Sequence, residues 1–221
     1  MTDGARVEVV LFDFDHTLVN SPLDFDQMRR VICRLCESFG VYLERPEERL
    51  VLELVDEAAA QLDPVPAHRM RHMAEACLRD LERSAAEQAV AVDGVPEALE
   101  RLALEGRRIG IITRNSREVV LDALKLVPLR HDLLLARDDV ERVKPHPDHA
   151  RAALERFGVG PEAALLCGDF EADIACAQAA GLRAVGVATG ASTPIELKMA
   201  GALTVLTSAA MLPDWLARQG W

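Results

Sequence analysis

Apolar and polar residues follow two different periods along this chain. Val7 to Phe12 is an almost continuous apolar run, which is typical of a buried strand in a parallel sheet covered on both faces. Between residues 23 and 84 the apolar residues recur at helical spacing instead. This pattern predicts three helices with a proline-rich break at Pro64-Val65-Pro66, and their expected ranges are 26–39, 46–60 and 67–84.

Short apolar strands and amphipathic helices alternate in the rest of the chain. Strands are predicted at 108–113, 132–136, 164–167, 184–187 and 203–206. Helices are predicted at 96–104, 117–126, 147–157, 172–180, 194–199 and 209–217. Alternating βα units imply an α/β fold with a doubly wound parallel sheet, interrupted here by a helical insertion after the first strand.

Composition and charge exclude some classes of partner. The 221 residues, half of them hydrophobic, suffice for one core domain with an insertion. The net charge is −11, from 25 basic and 36 acidic side chains, and this argues against a nucleic-acid partner, which requires a basic surface. A small anionic substrate remains compatible, because a site can be locally positive on an acidic protein.

No targeting segment or membrane span is predicted. The residues before Val7 are polar, and the apolar run ends too early, at Asp13, to cross a membrane or to resemble a signal peptide. Five scattered cysteines suggest reduced thiols in a cytoplasmic protein. Cys33 and Cys36 form a CxxC pair, but no second pair or histidine pair at zinc spacing accompanies them, so we interpret them as half-buried helix residues.

Two carboxylates directly follow the first predicted strand. Because side chains two residues apart on a strand point to the same side, Asp13 and Asp15 would face one small volume if the strand extends that far. Two like charges this close require a cation or a proton between them. Ligands of open α/β sheets bind beyond the carboxyl ends of the strands, which is where this pair lies. The alternative is a strand that ends in a solvated turn, where Asp is common.

Three further polar segments lie downstream. An apolar strand ends in Thr113-Arg114-Asn115-Ser116, Lys144 precedes Pro145, and a third strand ends in Gly168-Asp169, with Asp173 four residues later. Each has an ordinary interpretation: Thr113 as a strand end, Lys144 as a solvated loop residue, and Asp173 as a first-turn helix residue. Asn115 and Glu118 are also spaced as a possible capping box.

In this order the four segments resemble the four motifs of the haloacid dehalogenase-like (HAD) phosphohydrolase superfamily, and the resemblance extends over essentially the whole chain. The general pattern is nearest to the phosphoglycolate phosphatase-like group. The resemblance implies a Rossmann-like core, here 1–19 and 92–221, and an inserted α-helical cap domain, here 20–91, that would exclude water and select the substrate.

The resemblance also implies roles for the motif residues. Asp13 would be the nucleophile that forms an aspartyl-phosphate, and Asp15 would first donate and then accept a proton. The implied cofactor is Mg²⁺, held by Asp13, the Asp15 backbone carbonyl and Asp169, with Asp173 behind these ligands or on the metal itself.

Thr113 and Lys144 would hold the transferring phosphoryl group. Arg114 stands where the family often has asparagine, and it would pair either with a substrate anion or with the cap. His16 stands where glycine is frequent, and we favour a structural role for it over substrate contact. The cap segment His68 to His72 would bind a second anionic group on the substrate, or, as we favour, it forms a solvated helix face.

The expected activity is hydrolysis of a small phosphorylated metabolite, a phosphomonoester. Asp15 argues against dehalogenation, which needs no such acid, and the absence of lysine from residues 20–91 argues against a cap Schiff base of the phosphonoacetaldehyde hydrolase kind. A mutase like β-phosphoglucomutase stays open, and so, with less support, does a non-catalytic binding protein on the same scaffold. The sequence names no particular substrate and no oligomeric state.

Overall fold

A six-stranded parallel sheet organises the larger of two units in the computed structural model, which describes residues 6–221. The strands in chain order are β1 (Val9–Phe12), β2 (Val19–Asn20), β3 (Val90–Ala91), β4 (Arg108–Ile112), β5 (Leu133–Leu135), β6 (Ala164–Gly168), β7 (Arg183–Val187) and β8 (Thr204–Leu206). The sheet has the order β5-β4-β1-β6-β7-β8, so β1 lies in the middle, between β4 and β6.

Nine α-helices lie in the described part of the chain, and six of them belong to the larger unit. They are α1 (Phe25–Ser38), α2 (Val51–Ala60), α3 (Pro64–Ala86), α4 (Val95–Leu104), α5 (Arg117–Leu126), α6 (Asp148–Phe157), α7 (Glu171–Ala180), α8 (Pro194–Met199) and α9 (Leu212–Gln219). The alternation of parallel strands with α4–α9 confirms the predicted doubly wound, Rossmann-like α/β fold.

The burial of the strands explains why they appear as continuous apolar runs in the sequence. All four residues of β1 and all five of β6 are buried, as expected for strands with helices on both faces of the sheet. One core cluster combines Leu11, Ile112 and Leu166 from the strands with Ala153 of α6 and Ile174 of α7. This packing fixes the carboxyl ends of β1, β4 and β6 beside one another.

The chain leaves and re-enters the larger unit through a two-stranded ribbon. Val19 pairs with Ala91, and Asn20 with Val90, in an antiparallel arrangement. The larger unit comprises the residues up to Ser21 and Ala89–Trp221. The ribbon was not predicted, because two residues per strand are too few to produce a readable alternation.

The second unit, Pro22–Gln88, is a three-helix bundle of α1, α2 and α3. Its buried core includes Ile32, Leu54, Met70 and Leu78, one or more from each helix. The role of this bundle as a cap, and the boundaries 20–91, stay predictions.

Two details of the sequence interpretation were wrong in the bundle. The segment Pro64-Val65-Pro66 does not separate the helices, because α3 begins at Pro64 itself. Proline is tolerated there since the first helical N–H groups have no intrahelical acceptor. The predicted helix at 46–60 is instead a short 3₁₀ turn at Pro46–Glu48 followed by α2.

The segment from His68 to His72 lies within α3. Met70 is fully buried, whereas both histidines and both flanking arginines are exposed. Arg71 forms an ion pair with Asp56 of α2. Its role in reading substrate stays a prediction.

Cys33 and Cys36 lie on α1, the first half-buried and the second buried, and all five cysteines are free thiols. Burial raises the pKa of the Cys36 thiol to about 11.

In residues 6–221 we find no helix that is both long and apolar enough to span a bilayer. The cytoplasmic location stays a prediction.

Candidate active site

The motif residues converge at the carboxyl ends of three adjacent strands. Phe12, the last residue of β1, is in register with Ile111 of β4 and with Cys167 of β6. Asp13 follows β1 directly, and its backbone N–H donates to the Cys167 carbonyl at 3.0 Å. Residues that follow these strands therefore share the position where open α/β sheets bind ligands.

Three carboxylates and one ammonium form the centre of this edge. Asp13, Asp169 and Asp173 each offer an oxygen within 4.8 Å of the others. Lys144 Nζ lies 2.5 Å from Asp13 Oδ1 and 2.7 Å from Asp173 Oδ1. Lys144, Asp169 and Asp173 are buried, and the Asp13 side chain is 15% exposed, so Asp13 is the member of the cluster that solvent reaches most easily.

The charges of this cluster do not cancel. One ammonium faces three carboxylates, and burial together with Asp13 and Asp173 raises the pKa of Asp169 well above its ordinary value. Burial alone would lower the pKa of Lys144, but Asp13 and Asp173 raise it, so the ammonium stays charged. A compact donor set of carboxylate oxygens with surplus negative charge is of the kind that Mg²⁺ prefers, and the residues therefore fit the implied metal.

Asp15 lies apart from the acidic cluster. Its carboxylate accepts hydrogen bonds from Ser21 Oγ at 2.7 Å and from Asn115 Nδ2 at 2.6 Å. The condition for a shared face with Asp13 fails, because β1 ends at Phe12 and the chain turns. Burial, and to a lesser extent the charge of Asp13, nevertheless raises the pKa of Asp15, while the Ser21 hydrogen bond lowers it. Such an environment favours a carboxyl group that holds a proton.

The turn after Asp15 has a strained backbone. His16 has φ 57°, in the left-handed region where glycine is favoured. The His16 carbonyl accepts a hydrogen bond from the Thr189 hydroxyl, and the His16 N–H donates to the Val19 carbonyl at 2.6 Å. Thr17, fully buried, donates from Oγ1 to Asp169 Oδ1 at 2.9 Å. The turn thereby connects the β1 motif to the β6 motif.

Two glycines allow the carboxylates to pack against backbone. A Cβ on Gly168 would lie 2.3 Å from Asp173 Oδ2, and a Cβ on Gly190 would lie 1.6 Å from Asp169 Oδ2. Any larger residue would displace these carboxylates. The loop after β7, which contains Gly190, is thus a fifth contributor to the site.

Lys144 is positioned by a buried histidine. The Lys144 backbone N–H donates to His149 Nδ1 at 3.4 Å, and the other ring nitrogen of His149, Nε2, contacts the Leu135 carbonyl at 3.1 Å. Burial and the neighbouring Lys144 charge lower the pKa of His149 to about 4. A neutral ring accepts from Lys144 and donates to Leu135 at the end of β5. The Lys144–Pro145 peptide bond is cis.

Thr113 and Arg114 follow β4. Thr113 is buried, and its Oγ1 accepts a hydrogen bond from the Asn115 backbone N–H at 3.1 Å. The guanidinium of Arg114 lies over the ring of Phe170, 5.6 Å from its centroid.

Asn115 does not cap α5 together with Glu118, as the spacing suggested, because Ser116 is the N-cap residue. The Asn115 side chain bonds Asp15 instead.

Several residues of the site were not identified from sequence. They are Thr17, Ser21, Asn115, His149, Thr189 and Gly190. Only Thr189-Gly190 carried a usable signal, since it lies just beyond the carboxyl end of the apolar strand β7, as Asp169 lies beyond the end of β6. The others act through hydrogen bonds that the sequence pattern does not reveal: those of Thr17 and Asn115 join distant parts of the chain, and those of Ser21 and His149 depend on how the local chain turns.

Comparisons with known proteins identify the family of this chain. The family model for the haloacid dehalogenase-like hydrolases matches residues 10–187. Pyrophosphatase PpaX of Bacillus mycoides (strain KBAB4) is 30% identical over 187 residues, which cover 82% of this chain and 84% of that protein. PpaX of Bacillus cereus (strain AH820) is 40% identical over 95 residues, 42% of this chain and 44% of that protein.

Solved structures share the fold. A hydrolase from Pseudomonas syringae superposes with a TM-score of 0.72 at 22% identity, covering 96% of this chain and 98% of that one. CbbY from Rhodobacter sphaeroides, solved in complex with phosphate, gives 0.66 at 24% identity, covering 93% and 96%. The family match spans most of the sheet and all four motifs, and the chain therefore belongs to the haloacid dehalogenase-like hydrolase family.

Proposed function

We propose that this protein is a Mg²⁺-dependent phosphatase that hydrolyses a small phosphomonoester through an aspartyl-phosphate on Asp13. The observation that carries the proposal is the partly exposed Asp13 carboxylate, which contacts the buried Lys144 ammonium within a cluster of acidic residues. A nucleophilic carboxylate beside a fixed cation is what phosphoryl transfer requires.

In the first step, an Asp13 carboxylate oxygen attacks the substrate phosphorus, and the bond from phosphorus to the leaving oxygen breaks. Asp15, whose pKa is raised by burial, gives its proton to that oxygen. Lys144 and the hydroxyl of Thr113 stabilise the charge of the transferring group. The products of this step are the free leaving group and a phosphorylated Asp13.

In the second step, water attacks the phosphorus of the aspartyl-phosphate and transfers a proton to Asp15. The bond from Asp13 to phosphorus breaks, so that phosphate leaves and both carboxyl groups return to their initial states. Bound Mg²⁺, held by Asp13, the Asp15 carbonyl and Asp169 with Asp173 nearby, would supply charge neutralisation on the phosphoryl oxygens.

Pyrophosphate hydrolysis is the second candidate. It is supported by the name of the PpaX relatives, of which one is 30% identical over most of both chains. The same residues would serve, because the attack on phosphorus and the protonation of the leaving oxygen are shared by both reactions. The helical bundle Pro22–Gln88 is the proposed cap.

The test is phosphate release from a panel of substrates, with Mg²⁺ and with EDTA. The panel contains 2-phosphoglycolate, sugar phosphates, nucleoside monophosphates, an aryl phosphate and inorganic pyrophosphate. We expect Mg²⁺-dependent release that Asp13→Asn abolishes and that Asp214→Asn, an exposed carboxylate on α9, leaves intact.

Two results would contradict the proposal. Isomerisation of a hexose phosphate without phosphate release would indicate the mutase. No release from any compound, by protein with a cooperative unfolding transition, would favour the binding protein.

A further inference from the structure

We propose that Arg114 recognises a negative charge on the leaving group, so that the preferred substrates are phosphate compounds whose leaving group is itself anionic. Inorganic pyrophosphate is the simplest member of this class. The inference deepens the proposed function and rests on it, because it names the substrate class for the same site.

The first argument is the position of Arg114 at the carboxyl edge of the sheet. Arg114 follows β4, whereas its contact, Phe170, follows β6, and β1 lies between these two strands. Adjacent strands are about 4.8 Å apart, so the two strand ends are separated by about 10 Å. The contact between the Arg114 and Phe170 side chains therefore spans the carboxyl end of β1, which is the strand that leads into Asp13.

The second argument is the absence of an ionic partner. Within the described residues of the larger unit, no carboxylate forms an ion pair with Arg114, although neighbouring arginines are paired: Arg117 with Asp139 at 2.8 Å, and Arg142 with Asp148 at 2.6 Å. Arg114 is half-buried, and in the described part of the larger unit it has no carboxylate partner, although the chain has 36 acidic residues. Its charge is available to a bound anion.

The third argument is the geometry of the guanidinium. The guanidinium lies over the Phe170 ring, 5.6 Å from its centroid, and this contact restricts its rotamers. The N–H groups lie in the plane and stay free to bind two oxygens of a phosphate or carboxylate. The contact with Phe170 thus restricts the Arg114 side chain before an anion binds, so that binding costs little further conformational entropy.

The fourth argument is that the lysine side chains are already paired with other groups. Lys144 is committed to Asp13 and Asp173, which places its ammonium at the transferring phosphoryl group. The other two lysines are engaged elsewhere, Lys125 with Asp122 and Lys198 with backbone carbonyls after α8. Arg114 is a cation at this edge for which the described residues of the larger unit show no carboxylate partner, and it can therefore serve a second anionic group.

The role in the reaction follows from this position. When Asp13 attacks the phosphorus, the bond to the leaving oxygen breaks and Asp15 protonates that oxygen. A leaving group such as orthophosphate carries further negative charge, which Arg114 would neutralise both before and after the bond breaks. A neutral leaving group such as phenol gains nothing from Arg114.

The test is a binding measurement in the Asp13→Asn background, where turnover is removed. Titration calorimetry with Mg²⁺ would compare inorganic pyrophosphate with phenyl phosphate. We expect tighter binding of pyrophosphate, and Arg114→Gln should lower the pyrophosphate-to-phenyl-phosphate affinity ratio by about tenfold or more, the effect of losing a charge-assisted hydrogen bond. A general loss of structure would weaken both ligands and leave the ratio unchanged.

Two further variants and the salt dependence complete the test. Arg114→Lys, which keeps the charge, should restore part of the ratio, and Arg218→Gln, which removes an exposed charge from α9, should leave it unchanged. The preference for pyrophosphate should weaken as ionic strength rises. Arg114→Lys keeps the charge and changes the side chain less, so its affinity ratio still tests the inference if Arg114→Gln fails to fold.

The inference is overturned if pyrophosphate binds no more tightly than phenyl phosphate, or if Arg114→Gln folds and keeps the wild-type ratio. Failure of the proposed function is a different result. Wild-type protein that turns over no phosphate compound, yet shows the Arg114-dependent binding ratio, would overturn the phosphatase and leave the anion recognition standing.

Discussion

At the scale of single residues, the balance of charge around Asp13 decides what the site can bind. Lys144 neutralises part of the charge of Asp13 and Asp173, while Asp169 accepts one hydrogen bond from Thr17 and is held against the Gly190 backbone. The surplus negative charge is buried, and buried charge of one sign destabilises a fold unless a counterion joins it. A divalent cation should therefore stabilise the protein.

Mg²⁺ is predicted to raise the melting temperature of the wild-type protein. At a concentration of about one hundred times Kd the gain is about 2.7 kcal/mol in the free energy of unfolding. Asp169→Asn should lose most of this gain, because it removes one charged ligand and keeps an oxygen that can accept from Thr17. Differential scanning fluorimetry with and without Mg²⁺ measures both.

The control for this prediction is Asp214→Asn, which removes an exposed carboxylate from α9. It should respond to Mg²⁺ as the wild type does. Equal responses in all three proteins would mean that Mg²⁺ does not bind at Asp169.

The sequence predicted the identity of the motif residues better than their contacts. Asp13, Lys144, Asp169 and Asp173, which the structure brings together, were recognisable because Asp13 and Asp169 stand at strand ends, Lys144 precedes a proline, and Asp173 follows Asp169 by four residues. The hydrogen bond from Asn115 to Asp15 was not, since it joins residues 100 positions apart and depends on where β1 stops. Asn115 looked locally like a helix cap.

At the scale of structural elements, the start of α6 and the loop after β7 hold the motif residues in place. His149 at the start of α6 connects the Lys144 backbone to the end of β5. The loop after β7 supports Asp169 through Gly190 and His16 through Thr189. Each of these two segments leads to its own prediction.

His149 is predicted to make the protein sensitive to acid. Its pKa falls from 6.5 in the unfolded chain to about 4 in the fold, mainly through burial, so between these values the unfolded state binds more protons. Stability is therefore fully present above about pH 6.5 and is lost as the pH falls towards 4, by up to about 3 kcal/mol. Urea unfolding at several pH values measures this loss.

The comparison for this prediction is His149→Gln, which does not titrate. Its unfolding free energy should fall less than that of the wild type over the same pH range. His72→Gln, an exposed position on α3, should keep the wild-type slope. Parallel curves for the wild type and His149→Gln would exclude His149 as the source.

Gly190→Ala is predicted to damage the site while the sheet stays intact. The added Cβ would overlap the Asp169 carboxylate and displace it, and a displacement of about 1 Å can reduce turnover by about a hundredfold. Phosphate release and the Mg²⁺-induced shift in melting temperature should both fall. The neighbouring exposed substitution Ala191→Ser should change neither, and an active Gly190→Ala variant would show that the loop can move away.

Element types were predicted more reliably than element ends. The six strands of the sheet and α4–α9 were all anticipated, because continuous apolar runs and helical periods differ clearly. The start of α3 at Pro64 was missed because proline breaks a helix interior yet is accepted in its first turn. Sequence periodicity does not distinguish those two positions.

At the scale of the whole molecule, the fold determines the family of the protein but does not determine its substrate. The parallel sheet and the family match give a haloacid dehalogenase-like hydrolase. The substrate depends on side chains such as Arg114 and on the helical bundle, and members of one fold differ in these parts. The net charge of −11 adds one constraint, since an anionic substrate must be attracted by local cations against the overall field.

The most direct measurement is detection of the covalent intermediate. Wild-type protein mixed with Mg²⁺ and its best phosphate substrate, then quenched in acid, should show the mass of one added phosphoryl group on the peptide that contains Asp13. Asp13→Asn should show none, and hydroxylamine should remove the group from the wild type, as expected for an acyl phosphate. Substrate turnover without any label on Asp13, or with the label on another residue, would contradict nucleophilic catalysis by Asp13.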